Sequence, residues 1–145
     1  MTGTELWNLY CDENNIEKWS DHYTWKLNKK DIKKILNFKL KGRVNTYDFF
    51  IKTYNRIPKA NDHLILKDFK NNPYAILKVS WVSITYLENI QSDFISLINT
   101  KNEETTFFKA SLESKLKKQM RNAEENDIAI ICEEFFVVKL NENIK

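Results

Sequence analysis

Residues 63–86, HLILKDFKNNPYAILKVSWVSITY, decide the fold, because they hold two strand patterns joined by a turn. The apolar run from His63 to Lys67 is followed by the turn residues Lys70-Asn-Asn-Pro73, so a hairpin partner is predicted to begin at Tyr74. In that partner the apolar side chains fall at odd positions up to Trp81 and at even positions afterwards. A shift of one residue turns every later side chain to the opposite face, so the pattern predicts a bulge or sharp bend near Trp81. Strands that bend in this way are typical of small closed barrels.

Further elements are predicted on both sides of this hairpin. An N-terminal helix is expected to have Thr4 as its cap and to end near Asn14. Residues 87–97 fit a short helix, and residues 105–121 fit a longer one. Residues 128–140 are apolar on both faces apart from two glutamates and a lysine, which is typical of a central strand. The predicted fold class is therefore α+β, a small bent antiparallel or mixed β-barrel with helices at its rim.

The most regular helical pattern in the chain precedes Gly42. Asn28 is a predicted N-cap, and the apolar face that follows consists of Ile32, Ile35, Leu36 and Leu40. Gly42 stands where a left-handed residue often ends a helix, and residues 44–51 are β-branched and aromatic, which predicts a strand. The aromatic residues of the preceding polar segment are expected to be buried and to pin it to the core; they are Trp19, Tyr23 and Trp25.

Charge is unevenly distributed, although the formal net charge is only +3. From Lys26 to Arg43 the chain has eight basic residues and only one acid, Asp31. A second basic cluster consists of Lys109, Lys115, Lys117, Lys118 and Arg121. Such segregation is the electrostatic pattern of a protein with a polyanionic partner, although a lysine-rich helix face is more commonly just solvated. One of the glutamates at 133 and 134 is expected to find its partner on the basic helix.

Composition excludes several classes of site. The two glycines, Gly3 and Gly42, are too few for a P-loop or Rossmann phosphate loop, which needs several glycines close together. Two histidines and two widely separated cysteines offer no metal-ligand spacing, so we predict neither a metal nor another cofactor. No run approaches the roughly 20 apolar residues that span a bilayer. Free thiols in a reducing compartment then predict a cytoplasmic protein without a membrane partner.

Four segments, in order along nearly the whole chain, match one family pattern. They are residues 5–10 with Trp25, residues 32–42, residues 72–78 continued by 84–90, and residues 130–138. In these segments the chain resembles the ASCH domain, the activating-signal-cointegrator homology family of PUA-like β-barrels. It is most similar to the bacterial stand-alone branch, whose N-terminal helical extension corresponds to residues 1–25 of a single domain spanning residues 1–145.

The resemblance implies a cleft between the strands and the first long helix, lined by basic and polar residues. Family members are associated with RNA or modified nucleosides; some resemble amidohydrolases acting on acylated cytidine, and others resemble ribonucleases. In the hydrolytic members a Lys lies two residues after the loop glycine, a Thr lies three residues beyond that Lys, and a Glu comes from the segment before the late helix. Here Val44 and Tyr47 occupy those positions, while Glu103 and Glu104 are the candidates for the family's acidic residue. The resemblance therefore implies binding with degenerate catalytic residues.

The leading functional prediction is a domain that binds RNA, a nucleotide or a modified nucleoside through a basic cleft beside Gly42. The residues predicted to contact this ligand are Lys39, Lys41, Arg43, Asn45, Thr46 and Tyr47. For the lysines, a solvated surface position is the commoner alternative, because a lone exposed lysine needs no partner. For Tyr47, and for Trp81 as a possible stacking residue, a place in the core is the commoner alternative.

Two further functions stay open at this point. One is an active hydrolase, an acylated-nucleoside amidohydrolase or a ribonuclease, that uses rearranged residues such as Arg43, Thr46 and Glu103. Convergence of these side chains in one pocket would favour it, whereas a pocket filled by Val44 and Tyr47 would count against it. The other is a protein-interaction module in which the lysine-rich helix meets an acidic partner.

Overall fold

A computed structural model describes residues 1–120 and 128–143 of the chain. Its helices are α1 (Gly3–Asn14), α2 (Lys29–Leu36), α3 (Tyr47–Tyr54), α4 (Ser92–Ile98) and α5 (Thr105–Lys117). Its strands are β1 (His22–Lys26), β2 (Gly42–Thr46), β3 (His63–Lys67), β4 (Pro73–Tyr86) and β5 (Ala129–Leu140). Arg121, the expected end of α5 and a member of the second basic cluster, lies outside the described residues. Within residues 1–120 and 128–143, no helix has the length and apolar character that crossing a bilayer requires.

The five strands form one curled, mixed half-barrel in the order β1-β3-β4-β5-β2. β1 runs parallel to β3, and the other neighbours are antiparallel. The α+β class, the bent sheet with rim helices and the central place of the last strand are confirmed. β1 and β2 are the two edges, and this order leaves an open seam between them.

The β4 bulge lies where the change of apolar phase predicts it. Val79 is opposite Phe135 of β5 and Trp81 is opposite Glu134, so the register shifts at Ser80. Ala75, Leu77 and Val79 are buried in the core before the bulge, and Val82 packs against the same core after it. The bulge thus keeps the apolar side chains of β4 on the same core, although they change from odd to even positions.

Three clusters of buried side chains stabilise the sheet. The concave face packs against α2 through residues that include Ile32, Ile35, Leu64, Leu77 and Phe135. The opposite face packs against α4 and α5 through residues that include Phe94, Ile95, Leu112, Leu116 and Ile130. Helix α1 covers β3 and β4 with Leu6, Trp7, Tyr10 and Cys11. Both faces of β4 and β5 are therefore covered, which explains why these strands are so apolar.

The N-terminal segment differs from its prediction in two respects. The cap of α1 is Thr2 rather than Thr4: the Thr2 hydroxyl accepts the Glu5 backbone N–H at 3.1 Å, and the Glu5 carboxylate accepts the Thr2 backbone N–H at 3.3 Å. This reciprocal pair is a capping box, which needs the glutamate three residues after the cap. Trp19 is 81% exposed, so its predicted burial is wrong, whereas Tyr23 and Trp25 lie in β1 and pack against the core.

The glycine at position 42 has a different role from the predicted helix ending. Helix α2 has Asn28 as its cap, as predicted, but it ends at Leu36, and the left-handed residue is Phe38 with φ 60°. Gly42 does not have a positive φ. It is the first residue of β2, where an added Cβ would lie 2.7 Å from the Glu133 carbonyl oxygen and 3.1 Å from the Phe94 ring. The glycine is required because the backbone of β5 and the side chains of α4 approach this point closely.

The predicted strand over residues 44–51 is only partly correct. β2 ends at Thr46, whose hydroxyl accepts the Phe49 backbone N–H at 3.1 Å and so caps helix α3. The capping hydrogen bond outweighs the strand preference of the aromatic and β-branched residues that follow. Because α3 starts directly after Thr46, residues 43–46 are fixed at two places. They pair with β5, and they lead into the first turn of α3.

Candidate functional site

A cleft of about 540 Å³ opens along β2, at the seam of the half-barrel. β1 and α2 border it on one side, and the segment after α4 together with α5 borders it on the other. Because β2 is an edge strand, the cleft begins where the hydrogen bonding of the sheet ends. The cleft therefore includes the position beside Gly42 where the sequence predicts a binding site.

The cleft is lined mainly by cationic and apolar side chains, with several amide and hydroxyl groups. Among the described residues its cations are Lys34, Arg43, Lys101 and Lys115, and its carboxylates are Asp31 and Glu103. The apolar wall includes Trp25, Leu40, Val44, Ile98 and Phe108. The polar uncharged side chains are Asn45, Thr100, Ser111 and Gln119. A pocket with apolar walls and a few polar groups is the usual composition of a small-molecule site.

Arg43 forms a buried ion pair with Glu133 across β2 and β5. Its Nε lies 2.5 Å from Glu133 Oε1, and the two side chains are 6% and 0% exposed. Burial raises the pKa of the Glu133 carboxyl, and the adjacent guanidinium opposes that effect. The predicted partner on the basic helix α2 is therefore wrong for Glu133. The real partner faces it directly in the strand register, which places two charges together in a largely buried position.

The guanidinium of Arg43 also connects β2 with β1 and α3. Its carbon lies 4.8 Å from the centre of the Trp25 ring, and Nη1 donates to the Tyr54 hydroxyl at 3.3 Å. The Tyr54 hydroxyl in turn donates to the Thr24 carbonyl oxygen at 3.3 Å. These contacts join the two edge strands through side chains and hold the guanidinium in place through its Nε and Nη1 atoms and its stacking on Trp25.

Gln119, just beyond the end of α5, binds β2 through both atoms of its side-chain amide. Its Nε2 donates to Asn45 Oδ1 at 2.9 Å, and its Oε1 accepts the Thr46 backbone N–H at 3.1 Å. These contacts join residues more than 70 positions apart. Sequence analysis missed Gln119, because a glutamine near the end of a polar helix gives no local signal of a distant strand.

The structure separates the six residues predicted to bind the ligand. Arg43 and Asn45 line the cleft. Lys39 and Lys41 are exposed and are not among the lining residues. Thr46 is buried and caps α3, and Tyr47 is 37% exposed at the start of α3, so the core position considered for Tyr47 is not found. Their roles as ligand contacts stay predictions.

Trp81, considered above as a core residue or a stacking residue, is not in the core, and a stacking role stays a prediction. It is 43% exposed, and its ring centre lies 6.0 Å from that of Phe94 on α4. It does not line the cleft. The ring lies on the face of the sheet that packs against α4 and α5, beside the bulge.

The candidate catalytic residues are not assembled as a group. Arg43 and Glu103 line the cleft, whereas Thr46 does not. Among the described residues, the Arg43 side chain hydrogen-bonds to Glu133 and Tyr54 rather than to Thr46 or Glu103. Val44 also lines the cleft, and Tyr47 does not, so the apolar filling considered above is present only in part.

Glu104, the other acidic candidate, caps helix α5. Its carboxylate accepts the backbone N–H groups of Thr106 and Phe107 at 3.0 and 3.1 Å, and these hydrogen bonds lower the pKa of Glu104. A low pKa suits a helix cap and weakens the residue as a general base, since such a base works best near the ambient pH.

Comparisons with known proteins bear on the fold. No known family model matches the chain, and no curated protein matches it in sequence. A solved structure from Enterococcus faecalis V583, a protein of the family DUF984, is similar with a TM-score of 0.80 and 16% identity, over 97% of this chain and 91% of that one. The ASCH domain from Lactobacillus crispatus JV V101 is similar with a TM-score of 0.77 and 11% identity, over 94% of each chain. The resemblance found in the sequence is thus confirmed for the architecture, and this chain has an ASCH-like fold.

Proposed function

We propose that the cleft along β2 binds a nucleotide or nucleoside, either free or as part of single-stranded RNA. The observation that supports this most strongly is the combination of lysines, aromatic side chains and side-chain amides around one cavity. Its volume of about 540 Å³ lies within the range of about 300–1,000 Å³ that is common for small-molecule sites. A ligand with a phosphate group and a flat, partly apolar base matches that combination.

The lysines supply the attraction for phosphate. Lys34 is close to Asp31, with Nζ and Oδ1 3.6 Å apart, so part of its charge is compensated. Lys101 and Lys115 are exposed and form no ion pair with another described residue. These two lysines are therefore the strongest candidates for phosphate contacts, and binding through them weakens as salt rises.

We propose binding rather than catalysis. The guanidinium of Arg43 is engaged by Glu133 and by aromatic rings, and the Thr46 hydroxyl caps α3. Two of the three groups considered for a rearranged hydrolase are thus committed to structural contacts. Glu103 alone does not make a hydrolytic site, because such a site also needs an activated nucleophile and donors aimed at the developing oxyanion.

The test compares two double variants, each of which removes two positive charges. Lys101→Ala with Lys115→Ala removes two lysines of the cleft that form no ion pair with another described residue, whereas Lys52→Ala with Lys70→Ala removes two exposed lysines outside it. Fluorescence anisotropy with a labelled single-stranded RNA, at about 50 mM and about 200 mM salt, measures the affinity. We expect the cleft variant to bind about tenfold more weakly at low salt and the control to bind like the parent protein. No binding of either the RNA or a free nucleotide at low salt, or equal losses in both variants, would contradict the proposal.

A further inference from the structure

We infer that the cleft prefers bases that present a carbonyl oxygen, because Asn45 offers the cleft an amide N–H. This inference rests on the proposed function, that the cleft takes a nucleotide, and it names the chemistry by which the base is selected. It is carried by the hydrogen bonds among Asn45, Thr46 and Gln119.

The orientation of these side-chain amides follows from one group that can donate a hydrogen bond but cannot accept one. The Thr46 backbone N–H can only donate, so the atom of Gln119 that faces it at 3.1 Å must be the oxygen, Oε1. The amide nitrogen of Gln119 then faces Asn45, at 2.9 Å, and the atom that accepts from it must be Asn45 Oδ1. The remaining group of Asn45, its Nδ2, is left as the donor.

Two of the three residues in this chain of hydrogen bonds, Thr46 and Gln119, are held by backbone contacts of their own. Thr46 is the N-cap of α3, with its hydroxyl on the Phe49 N–H, and it stands at the end of the β2 pairing with β5. The Gln119 backbone N–H donates to the Leu116 carbonyl oxygen at 2.9 Å, which closes the last turn after α5. The backbones of Thr46 and Gln119 are therefore fixed, and the two hydrogen bonds of the Gln119 amide set the orientation of Asn45 before a ligand arrives.

The remaining donor of Asn45 belongs to a residue that lines the cleft. Asn45 is half-buried and lines the cleft, and its Nδ2 has no hydrogen-bond partner among the residues that the structure describes. A carbonyl oxygen satisfies this donor, whereas an amino group at the same place sets two donors against each other and leaves both unpaired. Uracil carries an oxo group where cytosine carries an amino group, and hypoxanthine differs from adenine in the same way. Comparing the two members of each pair therefore distinguishes an acceptor from a donor at that position.

The experiment measures the affinity of the full chain for four ligands by calorimetry: uridine and cytidine monophosphate, and inosine and adenosine monophosphate. We expect the oxo member to bind about tenfold more tightly in at least one pair. Gln119→Glu keeps an acceptor for the Thr46 N–H but removes the donor to Asn45. The Asn45 amide then turns over and presents its oxygen, so the preference within the pair reverses. Because both members carry the same phosphate, the added negative charge cancels in the ratio.

Two controls separate the orientation of Asn45 from a general loss of structure. Gln119→Met keeps a similar length without hydrogen bonds, and it is expected to bring the oxo-to-amino ratio close to one. Side-chain amide signals of Asn45 in ¹H–¹⁵N spectra report the reversal without any ligand, because the hydrogen-bonded N–H changes from Gln119 to Asn45. The ratio for the parent protein decides the inference even if a variant does not fold.

The outcomes distinguish this inference from the function on which it rests. Binding of all four nucleotides without a preference, a preference for the amino members, or a ratio unchanged in a folded Gln119→Glu variant would overturn the inference and leave the proposed function intact. Absence of binding by every nucleotide and by the RNA would overturn the proposed function, and the inference with it.

Discussion

Arg43 and Glu133 lie opposite each other in the register of β2 and β5, and their charged groups meet at 2.5 Å in a region closed to solvent. The pair lies beneath the cleft and beside the seam, so it affects both the stability of the sheet and the shape of the site. A buried pair of this kind is most sensitive to the loss of one partner, because the remaining charge stays buried.

Glu133→Ala should therefore be strongly destabilising. We expect it to lower the free energy of unfolding by about 3–5 kcal/mol, measured by urea denaturation, because the Arg43 guanidinium loses its counter-charge. The matched surface pair is Glu13 and Lys139, 2.8 Å apart, in which the Glu13 side chain is 47% exposed. Glu13→Ala should cost less than about 1 kcal/mol. Similar losses in the two variants would show that the buried pair has no special role.

Gly42→Ala should destabilise the protein because the new methyl group meets backbone that cannot move aside. The added Cβ would lie 2.7 Å from the Glu133 carbonyl oxygen, and we expect a cost of about 1–3 kcal/mol in thermal or chemical unfolding. Gly3→Ala is the control, since its Cβ meets the flexible end of the Lys67 side chain and alanine favours the helix. A Gly42→Ala variant as stable as the parent would contradict the close approach seen at β2.

His63 should make stability depend on pH. Its Nε2 is hydrogen-bonded to the Tyr10 hydroxyl at 3.1 Å, and burial, aided by Lys78 and opposed by Asp62, lowers the pKa of His63. The folded state then binds fewer protons than the unfolded state once the pH falls below about 6.5, so stability is full above that pH and declines below it. Urea denaturation between about pH 8 and about pH 5 measures this decline.

The control for this dependence is the other histidine. His63→Gln should reduce the loss of stability at low pH. His22→Gln, which removes a ring stacked 4.2 Å from Trp7, should leave that loss unchanged. An unchanged pH profile in His63→Gln would show that other groups cause the decline.

Cys132 should be inert to thiol reagents in the folded protein. It is 2% exposed, and burial, together with the neighbouring Glu133, raises the pKa of Cys132 to about 12. Ellman's reagent at about pH 8 is expected to label neither Cys132 nor the buried Cys11 until denaturant is added. Rapid labelling of Cys132 without denaturant would indicate that β5 opens from the sheet.

Much of the fold could be predicted because its signals are local. The change of apolar phase around Trp81 identifies the bulge, and the pattern after Asn28 identifies α2, since both depend on residues close in sequence. Gly42 shows the limit of such reasoning. A glycine needed for a left-handed turn and one needed for a close approach look the same in sequence, and only the neighbouring Glu133 and Phe94 distinguish them.

The site was harder to predict because it is built from distant contacts. The cleft beside Gly42 was expected, and Arg43 and Asn45 do line it. The pairing of Arg43 with Glu133 spans 90 positions, and the pairing of Asn45 with Gln119 spans 74. Such pairings depend on strand register and helix placement, which no single stretch of sequence carries.

The seam between β1 and β2 has a mechanical consequence. Its two edges are joined by the stacking of Arg43 on Trp25 and by the hydrogen bond from the Tyr54 hydroxyl to the Thr24 carbonyl oxygen. The entrance to the cleft can therefore widen through the loss of these side-chain contacts, while the backbone hydrogen bonds between the strands remain. Separating the two edges there would break none of the backbone hydrogen bonds that pair the strands.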